Sequence, residues 1–171
     1  MQSVNRIIKF LWVLSLLFFI GILLYGYYLL PGVVCIQFDA HGSPVDYIER
    51  KKAFYGFATV FATFNILLIS LEKFMLLLPN RIKPVLNKSY WLSTDETKLG
   101  LNYVLSDWFY SFSIAINICI LVVYYAFGKV NIEMQSSIMQ YSWVLPTCGT
   151  ILLLWIVYLP IRLSISKIFI R

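Results

Sequence analysis

A single histidine, three cysteines and eight carboxylates are the whole stock from which this chain could build a catalytic or metal centre. His41 has no second imidazole to share a metal with, which excludes a histidine-based cluster, and its surroundings read as a solvated turn. Cys35, Cys119 and Cys148 lack Cys-x-x-Cys spacing and are odd in number, so neither a zinc site nor a disulfide framework is indicated. A nucleophile needs a base within hydrogen-bond reach, and no Ser or Cys has a recognisable partner in the sequence. The pattern predicts no enzyme and no cofactor. What remains is polar chemistry inside apolar runs. Asn65 and Asn117 lie deep in theirs, where hydrogen bonds between helices are the first expectation. Lys73 and Asp107, with Glu72, fall near the ends of their runs. They read as interfacial anchors or as a Lys73 to Asp107 pair, with an ion or proton relay as the alternative that an ionisable group in a membrane raises.

The elements that must position these residues are membrane helices. Of the 171 residues, 60% are hydrophobic and 13% charged, about half the charged share of soluble domains. Mean hydropathy is +0.79. Aromatic residues make up 18% and gather where apolar runs meet polar segments, as half-apolar rings prefer. The net charge of +6 is scattered, without the basic face interleaved with aromatics that nucleic acid would need, so no nucleic-acid partner is expected. Crossing ~30 Å of hydrocarbon takes about 20 apolar residues in a helix. The runs 10–30, 53–78, 105–127 and 141–161 each reach that length. Open strands would leave backbone groups unpaired in lipid. The first run is too long for a signal-peptide core and lacks a cleavage site after it, so it reads as a retained helix.

After Pro79, Pro84 and Asn87, Ser93 and Glu96 have the spacing of a capping box, which starts the third helix near Thr94, ahead of the bilayer. The expectation is an all-α integral membrane four-helix bundle, one domain over 1–171, with helices at about 10–30, 53–78, 94–127 and 141–161. On the second helix Ala58, Ala62, Asn65, Ile69 and Glu72 share a face, as do Asp107, Tyr110, Ser111, Ile114 and Asn117 on the third. These two faces are expected to meet.

Orientation follows from the basic residues. With the N-terminus in the cytoplasm, Arg6, Lys9, Lys73, Arg81, Lys83, Lys88, Lys98, Arg162, Lys167 and Arg171 lie inside, against Arg50, Lys51, Lys52 and Lys129 outside. Both termini are therefore expected to be cytoplasmic.

The segment from Leu30 to Arg50 reads Leu-Pro-Gly-Val-Val-Cys-Ile-Gln-Phe-Asp-Ala-His-Gly-Ser-Pro-Val-Asp-Tyr-Ile-Glu-Arg. It resembles the domain of unknown function 1648 family of bacterial membrane proteins, whose first helix ends in Leu-Pro ahead of His-Phe-(Asp or Asn)-x-x-Gly-x-Pro-(Asp or Asn)-Gly-(Trp or Tyr). Phe38, Asp39, Gly42, Pro44 and Tyr47 match in register, while Gln37 stands in place of the His. On the other side of the second helix, Asn87-Lys88-Ser89-Tyr90-Trp91-Leu92 is similar to the family's Asn-(Arg or Lys)-x-Tyr-Trp-Leu.

The resemblance implies a protein of the bacterial cytoplasmic (inner) membrane. It also implies kinship with immunity proteins that protect a producing cell from its secreted killing factor and signal to a cytoplasmic repressor. Phe38, Asp39, Gly42, Pro44 and Tyr47 then form either a structural turn sealing the outer face of the bundle or a loop that recognises an outer peptide or protein. Asn87, Tyr90 and Trp91 form either a headgroup anchor or a partner contact on the inner side. The leading expectation is a non-catalytic protein that binds another membrane or secreted protein, as an immunity or sensor protein or as an accessory subunit. A small oligomeric transporter or channel component is the alternative, and a homo-oligomer is compatible with both.

With the native cysteines replaced, a membrane-impermeant maleimide applied to intact cells is expected to label a cysteine placed in the turn at Gly42 and to spare one at Lys88. Labelling at Lys88 from outside would reverse the topology.

Overall fold

The computed structural model describes residues 2–79, 82–133 and 138–165. Four of its helices are long and apolar enough to cross a membrane. α1 spans Gln2–Leu29, α2 Arg50–Leu77, α4 Asp95–Ile132 and α5 Val144–Ser164. A single-turn helix, α3 (Lys88–Trp91), lies between α2 and α4, and a 3-10 turn (Ile138–Tyr141) precedes α5. Arg81, Lys167 and Arg171, which enter the charge count, lie outside the described residues.

The bundle is not purely α. Between α1 and α2, β1 (Val33–Phe38) and β2 (Pro44–Glu49) pair antiparallel, with Val34 opposite Ile48 and Cys35 opposite Tyr47. Strands this short are invisible to a criterion set by membrane-spanning length. Yet Val33, Val34, Ile36, Val45, Tyr47 and Ile48 are the β-branched and aromatic types that strands favour, on either side of a Gly-containing turn.

Helix limits also move outward. α1 takes in Arg6 and Lys9, because nothing before Pro31 breaks it, and α4 continues past the expected end at 127 to Ile132. Its N-terminus is capped one residue later than the Ser93 and Glu96 spacing suggests. The Thr94 hydroxyl accepts from the Thr97 backbone N–H at 3.2 Å. The Thr97 hydroxyl in return accepts from the Thr94 N–H at 3.1 Å, which completes a capping box. The Ser93 hydroxyl instead donates to the carbonyl of Tyr90 (2.8 Å).

α4 is the axis of the fold. It packs against α1, α2, α3 and α5, and it carries more buried residues than any other helix, while α5 packs chiefly on α4. Three apolar clusters follow its length. At the hairpin end Phe19 and Leu23 of α1 gather with Val34, Ala53, Phe61 and Tyr124, and the Phe19 and Phe61 rings stack at 4.0 Å. A Cβ at Gly26 would fall on the Tyr124 ring, so glycine there lets α1 approach closely. The Tyr124 hydroxyl can then donate to the Leu23 carbonyl at 3.2 Å. Further along, Leu68 packs with Phe109, Phe112 and Ile116, and at the α3 end Val85 and Trp91 pack with Leu101, Leu105 and Leu163.

Buried polar groups in a bilayer must satisfy one another, because lipid offers no hydrogen bonds. Asn65 donates to the Asn117 side-chain oxygen (2.7 Å) and to the Phe61 carbonyl (2.9 Å), and it accepts from the Trp12 indole N–H (2.9 Å). Asn117 in turn donates to Ser15 (2.9 Å), whose hydroxyl donates to the Trp12 carbonyl (2.7 Å). Asn65 and Asn117 therefore meet as expected. Other residues of the second helix's small-residue face turn partly toward α1: Ala58, Ala62 and Ile69 border a groove shared with Trp12, Leu16 and Phe19. α1 is the third partner that pairwise matching of faces left out.

Asn65→Leu strands the Trp12 and Asn117 groups together, so it is expected to cost about 1–3 kcal/mol, the penalty for buried polar atoms left unpaired. The Asn65→Leu/Asn117→Leu double variant is expected to cost less than the sum of the two single variants. A thermal or denaturant double-mutant cycle in detergent measures the difference, and strict additivity would dissolve the network.

Candidate functional site

The hairpin turn is built by one carboxylate. Asp39 Oδ1 accepts from the backbone N–H groups of His41 and Ser43, both at 2.8 Å, while its own N–H donates to the Ser43 carbonyl (2.9 Å). Gly42 sits at φ 81°. That is a left-handed position, which glycine takes without a Cβ penalty. Pro44 opens β2, where a missing N–H is tolerated. Thus Asp39, Gly42 and Pro44 specify the turn, as their spacing suggests. His41 contributes a backbone N–H to it.

A residue that sequence reasoning passed over fixes the hairpin to the bundle. Asn131, in the last turn of α4, accepts from the Cys35 N–H (2.6 Å) and donates to the Cys35 carbonyl (3.2 Å). One side-chain amide thereby does for β1 what a neighbouring strand would, and it is itself held by a hydrogen bond to the Phe127 carbonyl (3.0 Å). At the other end of the hairpin, Arg50 donates to the Leu30 carbonyl at 2.8 Å. Its guanidinium lies 4.5 Å from the centre of the Tyr27 ring, within reach of the ring's negative face.

Burial then divides the side chains unevenly, with Cys35 enclosed although it lies opposite exposed Tyr47. Val34 and Ile48 turn into the apolar cluster at the end of the bundle, and Phe38 is half-buried along a groove with Phe57, Val130 and Val144. Val33, Val45 and Tyr47 point the other way and are 57%, 58% and 53% exposed. Of the sequence-predicted loop residues, Tyr47 alone lies on this outward face, and Val33 and Val45 join it. Their signal in the sequence is the β-branched and aromatic residue types on either side of the turn.

The α3 end differs. Asn87 sits at φ 56° and opens α3. Asparagine tolerates that left-handed conformation better than most residues. Trp91 is 1% exposed, its indole N–H donates to the Leu163 carbonyl (2.8 Å), and Tyr90 stands edge-on to it at 5.2 Å. Trp91 thus fills a pocket within the protein, against Leu101, Leu105 and Leu163. Lys83 is buried in the same segment and donates to Asn102 at 3.3 Å. Burial pulls its ammonium pKa below the usual lysine range.

The Lys73 to Asp107 pair does not form. Lys73 is exposed on α2, and Asp107 accepts instead from Asn5 (2.6 Å) of α1. Extending α1 back to Gln2 brings Asn5 there. Among the described residues, no group of three or more His, Cys, Asp or Glu side chains gathers in one place. No known family model, curated protein or solved structure matches the chain.

Replacing Asn131 with Leu leaves the Cys35 N–H and carbonyl unpaired. We expect about 1–3 kcal/mol of lost local stability, the cost of stranding such groups. It is read as faster amide exchange confined to β1 and β2 while the amides of α4 keep their protection; unchanged exchange in β1 would show that the amide clamp is dispensable.

Proposed function

We propose that this chain is a non-catalytic, multi-pass protein of the bacterial cytoplasmic membrane that acts by binding a second protein through its hairpin, which faces outward. The observation that carries this reading is an anchored strand pair presenting Val33, Val45 and Tyr47, each more than half exposed. Exposed apolar side chains on a rigid surface outside the hydrocarbon suit protein contact. The reading is in keeping with the resemblance that the two loops bear to the domain of unknown function 1648 family and its immunity-protein relatives. It makes the partner a secreted or membrane protein and the role that of an immunity or sensor protein or accessory subunit. Against a solute pathway stands the polar centre of the bundle, where Asn65, Asn117, Trp12 and Ser15 are bonded to each other instead of facing a channel.

A photo-activatable amino acid at position 45, irradiated in intact cells, is expected to give a discrete adduct that is lost in Tyr47→Ala at unchanged thermal stability. The same probe at position 48, on the buried face, is expected to give none. An adduct of twice the chain mass would assign the hairpin to self-association, and no adduct at 45 would overturn the binding role.

A further inference from the structure

A groove of about 600 Å³ runs between α1, α4 and α5 at the α3 end of the bundle. Its walls are apolar along most of their length, with Val4 and Ile8 on one side and Leu154 and Leu159 on the other. Two opposite charges stand in it without meeting. Asp107 receives a hydrogen bond from Asn5 and, among the described residues, forms no ion pair. Arg162, in the last turn of α5, has its guanidinium 5.9 Å from the centre of the Trp91 ring and likewise forms no ion pair among the described residues. Trp155 lines the same groove, and its indole N–H is buried without a hydrogen-bond partner among the described residues.

The depth of these groups fits a headgroup. α4 is 38 residues long, and Asp107 lies twelve residues from its start. At the rise of an α-helix that is roughly 57 Å of rod, so a hydrocarbon layer of ~30 Å ending at the hairpin leaves Asp107 near its boundary. Arg162 is at the corresponding end of α5. The exposed rim, with Val4, Leu154 and Tyr158 about half or more exposed, opens sideways, where lipid tails lie.

We propose that this groove binds a phospholipid whose headgroup carries both a phosphate and a primary ammonium, with the phosphate at Arg162 and the ammonium at Asp107. Guanidinium is suited to phosphate oxygens, and a carboxylate takes hydrogen bonds from a primary ammonium. The apolar walls, Trp155 among them, take one acyl chain. A glycerol headgroup has an anion for Arg162 but no cation for Asp107. A choline headgroup has the cation but no N–H to donate.

The test is native mass spectrometry of the full-length protein, delipidated and then exposed to equal amounts of phosphatidylethanolamine, phosphatidylcholine and phosphatidylglycerol. One retained lipid is expected, with about a tenfold preference for phosphatidylethanolamine, the scale of one charge-assisted hydrogen bond. Asp107→Asn is expected to level phosphatidylethanolamine with phosphatidylcholine, and Arg162→Gln to lower retention of all three. Should either variant fail to fold, Leu154→Trp, which narrows the groove, keeps the question open to measurement: retention falls while the order of headgroups is kept. Equal retention of the three lipids by the wild-type protein, or a preference untouched by Asp107→Asn, would overturn the site.

Discussion

The hydrogen-bonded knot of Asn65, Asn117, Trp12 and Ser15 is the constraint on which the rest of this structure depends. Water would dilute its worth by offering partners to each group separately, whereas hydrocarbon offers none. Asn65 comes from α2, Asn117 from α4, and Trp12 and Ser15 from α1. Sliding any one helix by a turn would break bonds on both of the others. The stacked Phe19 and Phe61 rings and the close approach at Gly26 then follow as consequences of that register toward the hairpin, and the Asn5 bond to Asp107 follows toward α3. Apolar packing fills this arrangement, but lipid tails compete for such packing almost equally. The polar contacts are what distinguish one register from its neighbours.

α4 translates that register into surface structure. It is longer than the hydrocarbon layer is thick and has turns to spare at both ends. The surplus at one end carries Asn131, which serves as the edge partner of β1, and the surplus at the other carries Leu101 and Leu105, against which Trp91 packs. Both connecting segments are thereby tied to the same rigid rod. The hairpin is ordered by backbone pairing and α3 by burial of a single large ring.

What the sequence made legible follows the same physics. Apolar runs of membrane-spanning length are unmistakable, so the four long helices were readable, and Asn65 and Asn117 stood out because each is a deep polar residue in such a run. The Asp39, Gly42 and Pro44 turn was readable from its residue types. The strands flanking it were not, since a short segment of mixed polarity gives a weak periodic signal beside helices as long as α2 and α4. Trp12 and Ser15 look like ordinary members of a lipid-facing helix until α2 and α4 are placed next to them. The Lys73 to Asp107 pairing failed for a related reason. Two residues at similar depth need not face one another, and one helical step of about 100° is enough to leave Lys73 exposed next to buried Glu72.

The two ends of the bundle differ in a way that bears on where recognition would occur. At the α3 end the aromatic residue best suited to an interface, Trp91, is already enclosed, its indole N–H bonded to Leu163, and Lys83 is buried as well. The aromatic and cationic side chains of the α3 segment that could meet another protein are thus spent within the chain. At the hairpin end the assignment is reversed: the polar groups are spent on the turn and the Asn131 clamp, and the apolar side chains Val33, Val45 and Tyr47 are left exposed. A surface ordered by its backbone and unsatisfied in its side chains can meet a partner without first refolding, which lowers the entropic cost of association. A surface whose side chains are already packed would have to open first. The proposed reading therefore takes the hairpin as the binding element, while the α3 segment packs on α4 and α5 at the opposite end.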